Sequence, residues 1–261
     1  MAKAKANLAE MPDLRLEIMD LLDPGSIDAF AEQFVRNNKK LHILVNNAGI
    51  MAPPLARDAR VRISILRQPS RPFPAHLPAL ACPGRRPRRS CRRAYLLWTP
   101  EGWGDFHDPN FDRREYDPWI AYGQSKTANA LFAVALDSIG QRRGVRAFSV
   151  HPGGIVTDLI RHMSQAQIDA SEIIDKTGKP IIDPENNKKT PQQGAATTVW
   201  CATSPQLNGM GGVYCEDCDI ARALPSDDSK EMRGVRPRAT DRVAAGRLWQ
   251  LSEQLTGAAI D

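Results

Sequence analysis

Two rhythms of apolar and polar positions alternate along the chain. Ile27, Phe30, Ala31 and Phe34 recur at helical spacing behind Asp23-Pro24-Gly25-Ser26, a run that caps and starts a helix. Ahead of it, the Ala-, Lys- and Leu-rich residues 3–10 predict a helix, and the apolar stretch Leu14–Met19, ending in Asp20-Leu21, predicts a strand. Behind it, Leu41-His42-Ile43-Leu44-Val45 predicts a buried strand of the parallel type. Such β-α-β alternation belongs to a doubly wound α/β sheet.

The same alternation returns in the second half. Ile120, Leu131, Phe132, Ala135, Leu136 and Ile139 predict a long amphipathic helix over Trp119–Ile139, ended by Gly140 and Gly144. A strand over Val145–Val150 follows, and it delivers the backbone to Pro152-Gly153-Gly154, where a flat ligand could approach main-chain amides closely. Residues 158–195 are polar and loop-rich, with a short helix near Ser164–Ile174. Ala195–Cys201 predicts a helix, Gly211–Tyr214 a last short strand and Asp241–Leu255 a terminal helix.

Between the two halves the pattern fails. Residues 57–104 are rich in arginine and proline, with Pro69, Pro72, Pro74, Pro78, Pro83 and Pro87 dense enough to forbid a regular helix or an interior strand. Only Ala94–Trp98 looks strand-like.

Charge is concentrated in the same stretch. The 261 residues carry a formal charge of +5, yet ten of the 35 basic residues are arginines between Ala59 and Pro100, leaving 25 against 30 acidic residues elsewhere. The run Arg85-Arg86-Pro87-Arg88-Arg89, within an arginine-rich patch over 85–93, admits binding of nucleic acid or an acidic partner. It has no aromatic interleaving and no recognisable binding module, so nucleic acid is not the expected partner.

Five cysteines, an odd number in a long chain, do not read as a disulfide framework and fit a reducing, cytoplasmic setting. Cys215 and Cys218 have ligand-like spacing, but a structural zinc site needs four ligands and no second close Cys/His pair occurs, so no metal is expected. No signal-like start and no run of roughly 18 apolar residues points to a membrane span.

The candidate chemistry centres on Tyr122-Gly123-Gln124-Ser125-Lys126, which on a helix places a phenol and an ammonium on one face. A tyrosine titrates near pH 10 in water, so proton transfer at neutral pH requires something that favours its phenolate, as a neighbouring cation does. The same spacing also occurs in surface helices whose Tyr and Lys never meet. Asn46-Asn47-Ala48-Gly49 closes the Leu41–Val45 strand, where open α/β sheets bind ligands, though Asn and Gly there also suit an ordinary turn.

In order along the chain, Asn46-Asn47-Ala48-Gly49, Tyr122 through Lys126 and His151-Pro152-Gly153-Gly154 resemble the short-chain dehydrogenase/reductase family. Asp108-Pro109-Asn110-Phe111 and Val213-Tyr214-Cys215-Glu216-Asp217-Cys218 are similar to its retinol-dehydrogenase-like and WW-domain-oxidoreductase-like branch. The similarity covers residues 1–56 and about 105–255. It implies a single Rossmann-type domain over 1–261, with a doubly wound parallel sheet of strand order 3-2-1-4-5-6-7. It further implies interconversion of an alcohol and a carbonyl by hydride transfer with NAD or NADP, on a small and lipophilic substrate, in a possible homo-oligomer.

By the same resemblance Tyr122 is the acid or base at the substrate oxygen, and Lys126 lowers its pKa and holds the nicotinamide ribose. Asn46 braces the sheet, Ala48 and Gly49 meet the adenosine ribose, and Asp20 and Leu21 meet the adenine. Pro152, Gly153, Ile155 and Thr157 face the nicotinamide. Thr157 equally suits a helix N-cap. Residues 158–193 would form the substrate lid.

Three departures accompany the resemblance. No Thr-Gly-x-x-x-Gly-x-Gly loop occurs in the 261 residues, so the first β-α-β portion, with the anion site for the pyrophosphate, is expected to be missing and an edge of the sheet left unpaired. The catalytic serine expected after Ala94–Trp98 has only Thr99 as the nearest hydroxyl, which suits a loop threonine before Pro100 as well. The relay asparagine has no counterpart between Arg57 and Glu101. These departures predict impaired turnover, or a catalytically inactive relic of the family. The family wording fails near Val61 and resumes near Asp108, as compensating shifts of the reading frame would produce; resequencing the gene tests that origin.

Overall fold

The computed structural model describes residues 13–38, 40–54, 57–58, 61–62, 91–96 and 108–257. They group into two compact units, one within residues 1–39 and one within 40–261.

The first unit is built around α1 (Pro24–Asn37). Asp23 caps it, accepting from the Gly25 amide at 2.9 Å, and Pro24 supplies a preset φ at the first helical position. Phe30 and Phe34 face each other one turn apart, with ring centroids at 6.5 Å. The strand expected over Leu14–Met19 does not form; these residues belong to no strand. A strand exists only as half of a ladder, and an apolar run encodes its own half alone. The helix expected over 3–10 lies outside the described residues.

The second unit holds a five-stranded sheet. Its strands are β1 (Ile43–Asn46), β4 (Cys91–Leu96), β5 (Val145–His151), β6 (Val213–Glu216) and β7 (Asp219–Ile220), in spatial order β1-β4-β5-β6-β7. The first four are parallel and β7 returns antiparallel from β6. A separate two-stranded ladder pairs β2 (Arg57–Asp58) with β3 (Val61–Arg62). Among the described residues β1 is the outermost strand, and Ile43 and Val45 stay exposed.

The irregular reading of 57–104 needs correction at β4, which runs between β1 and β5 as an interior strand and begins three residues ahead of Ala94. The backbone of Arg92 and Arg93, from the arginine-rich patch, is part of it. No proline falls in Cys91–Leu96, so nothing there blocks a ladder. The rest of the patch lies outside the described residues.

β5 is buried on both faces, as a central parallel strand requires. Ala147 faces a core formed by α2 (Pro118–Gly140) and α5 (Arg242–Thr256), where Phe132 and Trp249 stack at 5.5 Å. Its neighbours Phe148 and Val150 face the other way, into a core with Cys201 of α4 (Pro191–Thr203), Leu207 and Cys215. The period of two in β5 therefore assigns helices to both sides of the sheet. The short α3 (Gln165–Ser171) and α4 each start with a capping box, Ser164 with Gln167 and Thr190 with Gln193.

α2 is less amphipathic than its sequence suggests. Asp117 caps it through the Trp119 and Ile120 amides, both at 2.8 Å, and from Ala121 to Asp137 every residue is buried. Ile120 and Ile139, expected on the apolar face, are exposed. Cys215 and Cys218 flank a hairpin turn: Asp217 (φ 50°) and Cys218 (φ 59°) are the two left-handed residues between β6 and β7. Cys215 is buried and Cys218 exposed, and no cluster of three metal-ligating side chains occurs among the described residues. Nor is any described helix long and apolar enough to cross a membrane.

Candidate active site

The carboxyl ends of β1, β5 and β6 lie along one edge of the sheet, the edge at which open α/β sheets take ligands. Asn46 ends β1, His151 ends β5 and Glu216 ends β6. Tyr122 and Lys126 come from the first turns of α2, whose start is held by the Asp117 cap and Pro118.

The structure brings Tyr122 and Lys126 together. Both are buried, at 5% and 7% exposure, and the Lys126 ammonium lies over the Tyr122 ring, 5.0 Å from its centre. Burial pulls the Lys126 ammonium down to about 8 and pushes the Tyr122 phenol above its ordinary value. Taking the phenolate out of water is what raises the phenol, and the Lys126 ammonium over the ring face works against that shift.

Around Tyr122 the surroundings are apolar. Met51 and Ala52, behind β1, and Trp119, Leu159, Ile160 and Met163 pack against it, and Trp119 meets its ring edge-on at 6.4 Å. Leu159, Ile160 and Met163, from the 158–193 segment, pack against the cluster that holds Tyr122. Tyr116 donates to the Pro53 carbonyl at 2.7 Å and so fixes the 51–54 stretch nearby.

The turn after β5 is tightly held. Gly153 has φ 90°, and a Cβ there would lie 2.7 Å from Lys189 Cδ and 2.9 Å from Asn187 Oδ1. The Gly154 amide, expected to be open to a ligand, donates instead to the Asn187 carbonyl at 2.8 Å, and the Lys189 amide donates to the Gly154 carbonyl at 2.8 Å. Ile155 packs into the space that Gly194 leaves in the first turn of α4. Thr157 caps a 3₁₀ turn over Asp158–His162, accepting from the Leu159 amide at 3.3 Å, which is the N-cap role its position allows. His151 is fully buried, stacks on Tyr214 at 6.5 Å and is pulled down to about 3, first by burial and then by the Lys189 ammonium.

The remaining candidates divide. Asn46 is half-buried at the end of β1, and its amide nitrogen finds no hydrogen-bond partner among the described residues. Ala48 is exposed and Gly49 half-buried just beyond it. Asp20 and Leu21 belong to the first unit, where the Asp20 carboxylate accepts from the Leu22 amide at 2.8 Å. Thr99 lies outside the described residues. Sequence reading missed Trp119, Met51 and Met163 around the phenol, and Asn187 and Lys189 under Gly153. Nothing in their local spacing marks them, because each reaches the site through the fold.

No family profile matches the chain. It is 39% identical over 243 residues to a "Probable oxidoreductase" of Streptomyces lividans, across 90% of this chain and 77% of that one. It is 31% identical over 262 residues to the short-chain dehydrogenase/reductase prx1 of Penicillium roqueforti, across 96% and 73%. With retinol dehydrogenase 12 of Homo sapiens it shares 30% over 256 residues, across 92% and 68%. Among solved structures, an uncharacterized protein of Mycobacterium paratuberculosis superposes with a TM-score of 0.60 at 26% identity, over all of this chain and 82% of that one. NADPH-bound carbonyl reductase from chicken fatty liver superposes with a TM-score of 0.52 at 17% identity, over 84% and 81%, a likeness of fold alone.

Proposed function

Since the chain belongs to the short-chain dehydrogenase/reductase family, we propose that it is an NAD(P)-dependent oxidoreductase that interconverts an alcohol and a carbonyl, with Tyr122 handling the proton at the substrate oxygen. The observation that carries this reading is the buried Tyr122–Lys126 pair, set at the carboxyl edge of a parallel sheet and walled by apolar side chains.

The site fits the nicotinamide end of a dinucleotide in its donor set: a phenol, an ammonium and an orphaned amide at Asn46. By the family's pattern Lys126 would hold the nicotinamide ribose, Pro152, Gly153, Ile155 and Thr157 would face the nicotinamide, Ala48 and Gly49 would meet the adenosine ribose, and Asn46 would brace the sheet beneath them. The bound nicotinamide supplies or accepts the hydride. Tyr122 keeps its proton because burial disfavours the phenolate, and it can hand that proton to an oxygen gaining negative charge. In that protonation state Tyr122 serves the step that protonates a carbonyl oxygen. Lys126 places positive charge beside the ring at the pH of that step. Met51, Trp119, Leu159 and Met163 exclude water and select a lipophilic substrate.

Following NADH and NADPH absorbance with a panel of lipophilic aldehydes tests the reading. Consumption should fall roughly 10²- to 10⁴-fold in Tyr122→Phe, the loss expected for a missing proton donor. Equal rates in the two proteins would sink the assignment of Tyr122, and no consumption by either would favour the inactive relic.

A further inference from the structure

Lys189 has an ammonium buried at 7% exposure, 37 residues beyond Pro152 in sequence and outside every role assigned above. We propose that Lys189 is a positioning residue: its ion pair with Asp217 clamps the Pro152-Gly153-Gly154 turn to the carboxyl edge of the sheet. This rests on the reading that the turn faces the dinucleotide.

Three independent contacts converge on the turn. The Lys189 ammonium pairs with the Asp217 carboxylate, which stands in the left-handed β6–β7 turn at the end of the neighbouring strand. The aliphatic arm of the same lysine crosses Gly153 so closely that a methyl there would meet its Cδ and Cε at 2.7 and 3.0 Å. Its backbone amide completes a two-sided ladder with Gly154 and Asn187. Arg233 extends the clamp, lying 3.6 Å from the other Asp217 oxygen and donating to the Pro184 and Glu185 carbonyls at 2.8 and 3.1 Å.

A buried ammonium is costly to desolvate, and a hydrophobic side chain of the same length would cover Gly153 as well. What the charge adds is direction, because only an ion pair ties this arm to one point on the β6–β7 turn. Beyond the clamp the backbone continues through Ile155 to Leu159 and Met163, which pack on Tyr122. A slack clamp would loosen the wall beside the phenol without touching the phenol itself.

Lys189→Met keeps the apolar arm and removes the charge. Hydrogen exchange of the full chain, followed by mass spectrometry, should show the peptides over 152–157 and 187–190 exchanging about tenfold faster or more, while peptides from α2 and α5 keep their rates. In the turnover assay kcat should fall with little change in substrate KM, and Lys189→Arg should recover part of it. Unchanged exchange at 152–157 overturns the proposal, and so does exchange that rises equally everywhere, which marks a merely structural lysine. If Lys189→Met does not fold, Asp217→Asn, a milder change at the other end of the same bond, is read by the same criteria. Should the wild-type chain consume no dinucleotide at all, the functional reading fails, while the exchange result still decides the clamp.

Discussion

The Lys126 ammonium sits over the face of the Tyr122 ring, 5.0 Å from its centre, and both groups are buried in the first turns of α2. A cation over an aromatic face is attracted by the ring's electrons, and more strongly by a phenolate than by a phenol. Burial then sets the balance, raising the phenol and lowering the ammonium. The two groups are paired by contact and separated in protonation.

That burial makes Lys126 a stability cost at neutral pH. Its folded pKa of about 8 lies below the unfolded value of 10.5, so between these pH values the unfolded chain binds more protons and stability rises with pH. Lys126→Met should therefore stabilise the protein in urea melts at pH 7, by up to about 3 kcal/mol, with the gain fading as pH rises from 8 to 10.5. A gain independent of pH would show that the ammonium is not the source.

Gly153 and Gly144 make a matched pair. Both have positive φ, 90° and 74°, but a Cβ at 144 meets nothing within 4 Å while one at 153 strikes Lys189 and Asn187. Gly144→Ala should cost roughly 1 kcal/mol of backbone strain alone. Gly153→Ala should cost roughly 2 to 3 kcal/mol, and only it should lower turnover. Denaturant melts of the two variants against the parent chain check the ranking.

Much of the fold was legible because its signals are local. Asp23-Pro24 marks its helix within one turn and caps it as the residues suggest, whereas the Thr190/Gln193 box, an equally local signal, starts α4 at Pro191, four residues ahead of the Ala195 at which the sequence reading places it. β4 was read late because Arg92 and Arg93 carry no apolar signal; their place is dictated by β1 and β5 on either side, Arg92 pairing with Ile43 and with Arg146. Leu14–Met19 failed for the converse reason, a strand-like run with no ladder. The Tyr122–Lys126 spacing was visible in sequence, but its ionisation was not. A four-residue interval fixes distance along a helix, whereas the water excluded by Met51, Leu159 and Met163 comes from residues 37 to 71 positions away.

Arg146 and Asp137 join the start of β5 to the end of α2 through two parallel bonds of 2.8 and 2.9 Å, and the Asp137 carboxylate also accepts from the Ala147 amide at 3.1 Å. Removing the guanidinium leaves a carboxylate almost fully out of water. Arg146→Ala should cost about 3 to 5 kcal/mol in urea unfolding, and the added replacement Asp137→Asn should recover part of that loss. Additive costs from the two changes would contradict the pairing.

Cysteine reactivity should follow the hairpin. The Cys215 thiol is pushed up by its hydrogen bond with Cys201 and then by burial, so it stays a thiol, and Cys201 is equally buried. Cys218 is exposed at the turn. Peptide mapping after brief treatment of the folded protein with a maleimide should find Cys218 modified and Cys201 and Cys215 protected until denaturant is added.

Among the described residues β1 ends the sheet, four residues long, with Ile43 and Val45 exposed and no proline within it. A strand in that state can zip onto the matching strand of another molecule, so protein concentration becomes a variable of folding here as much as pH or denaturant. Dilute samples handled with mild solubilising agents, or a lysine placed at Val45, should hold the chain dispersed long enough for its chemistry to be assayed.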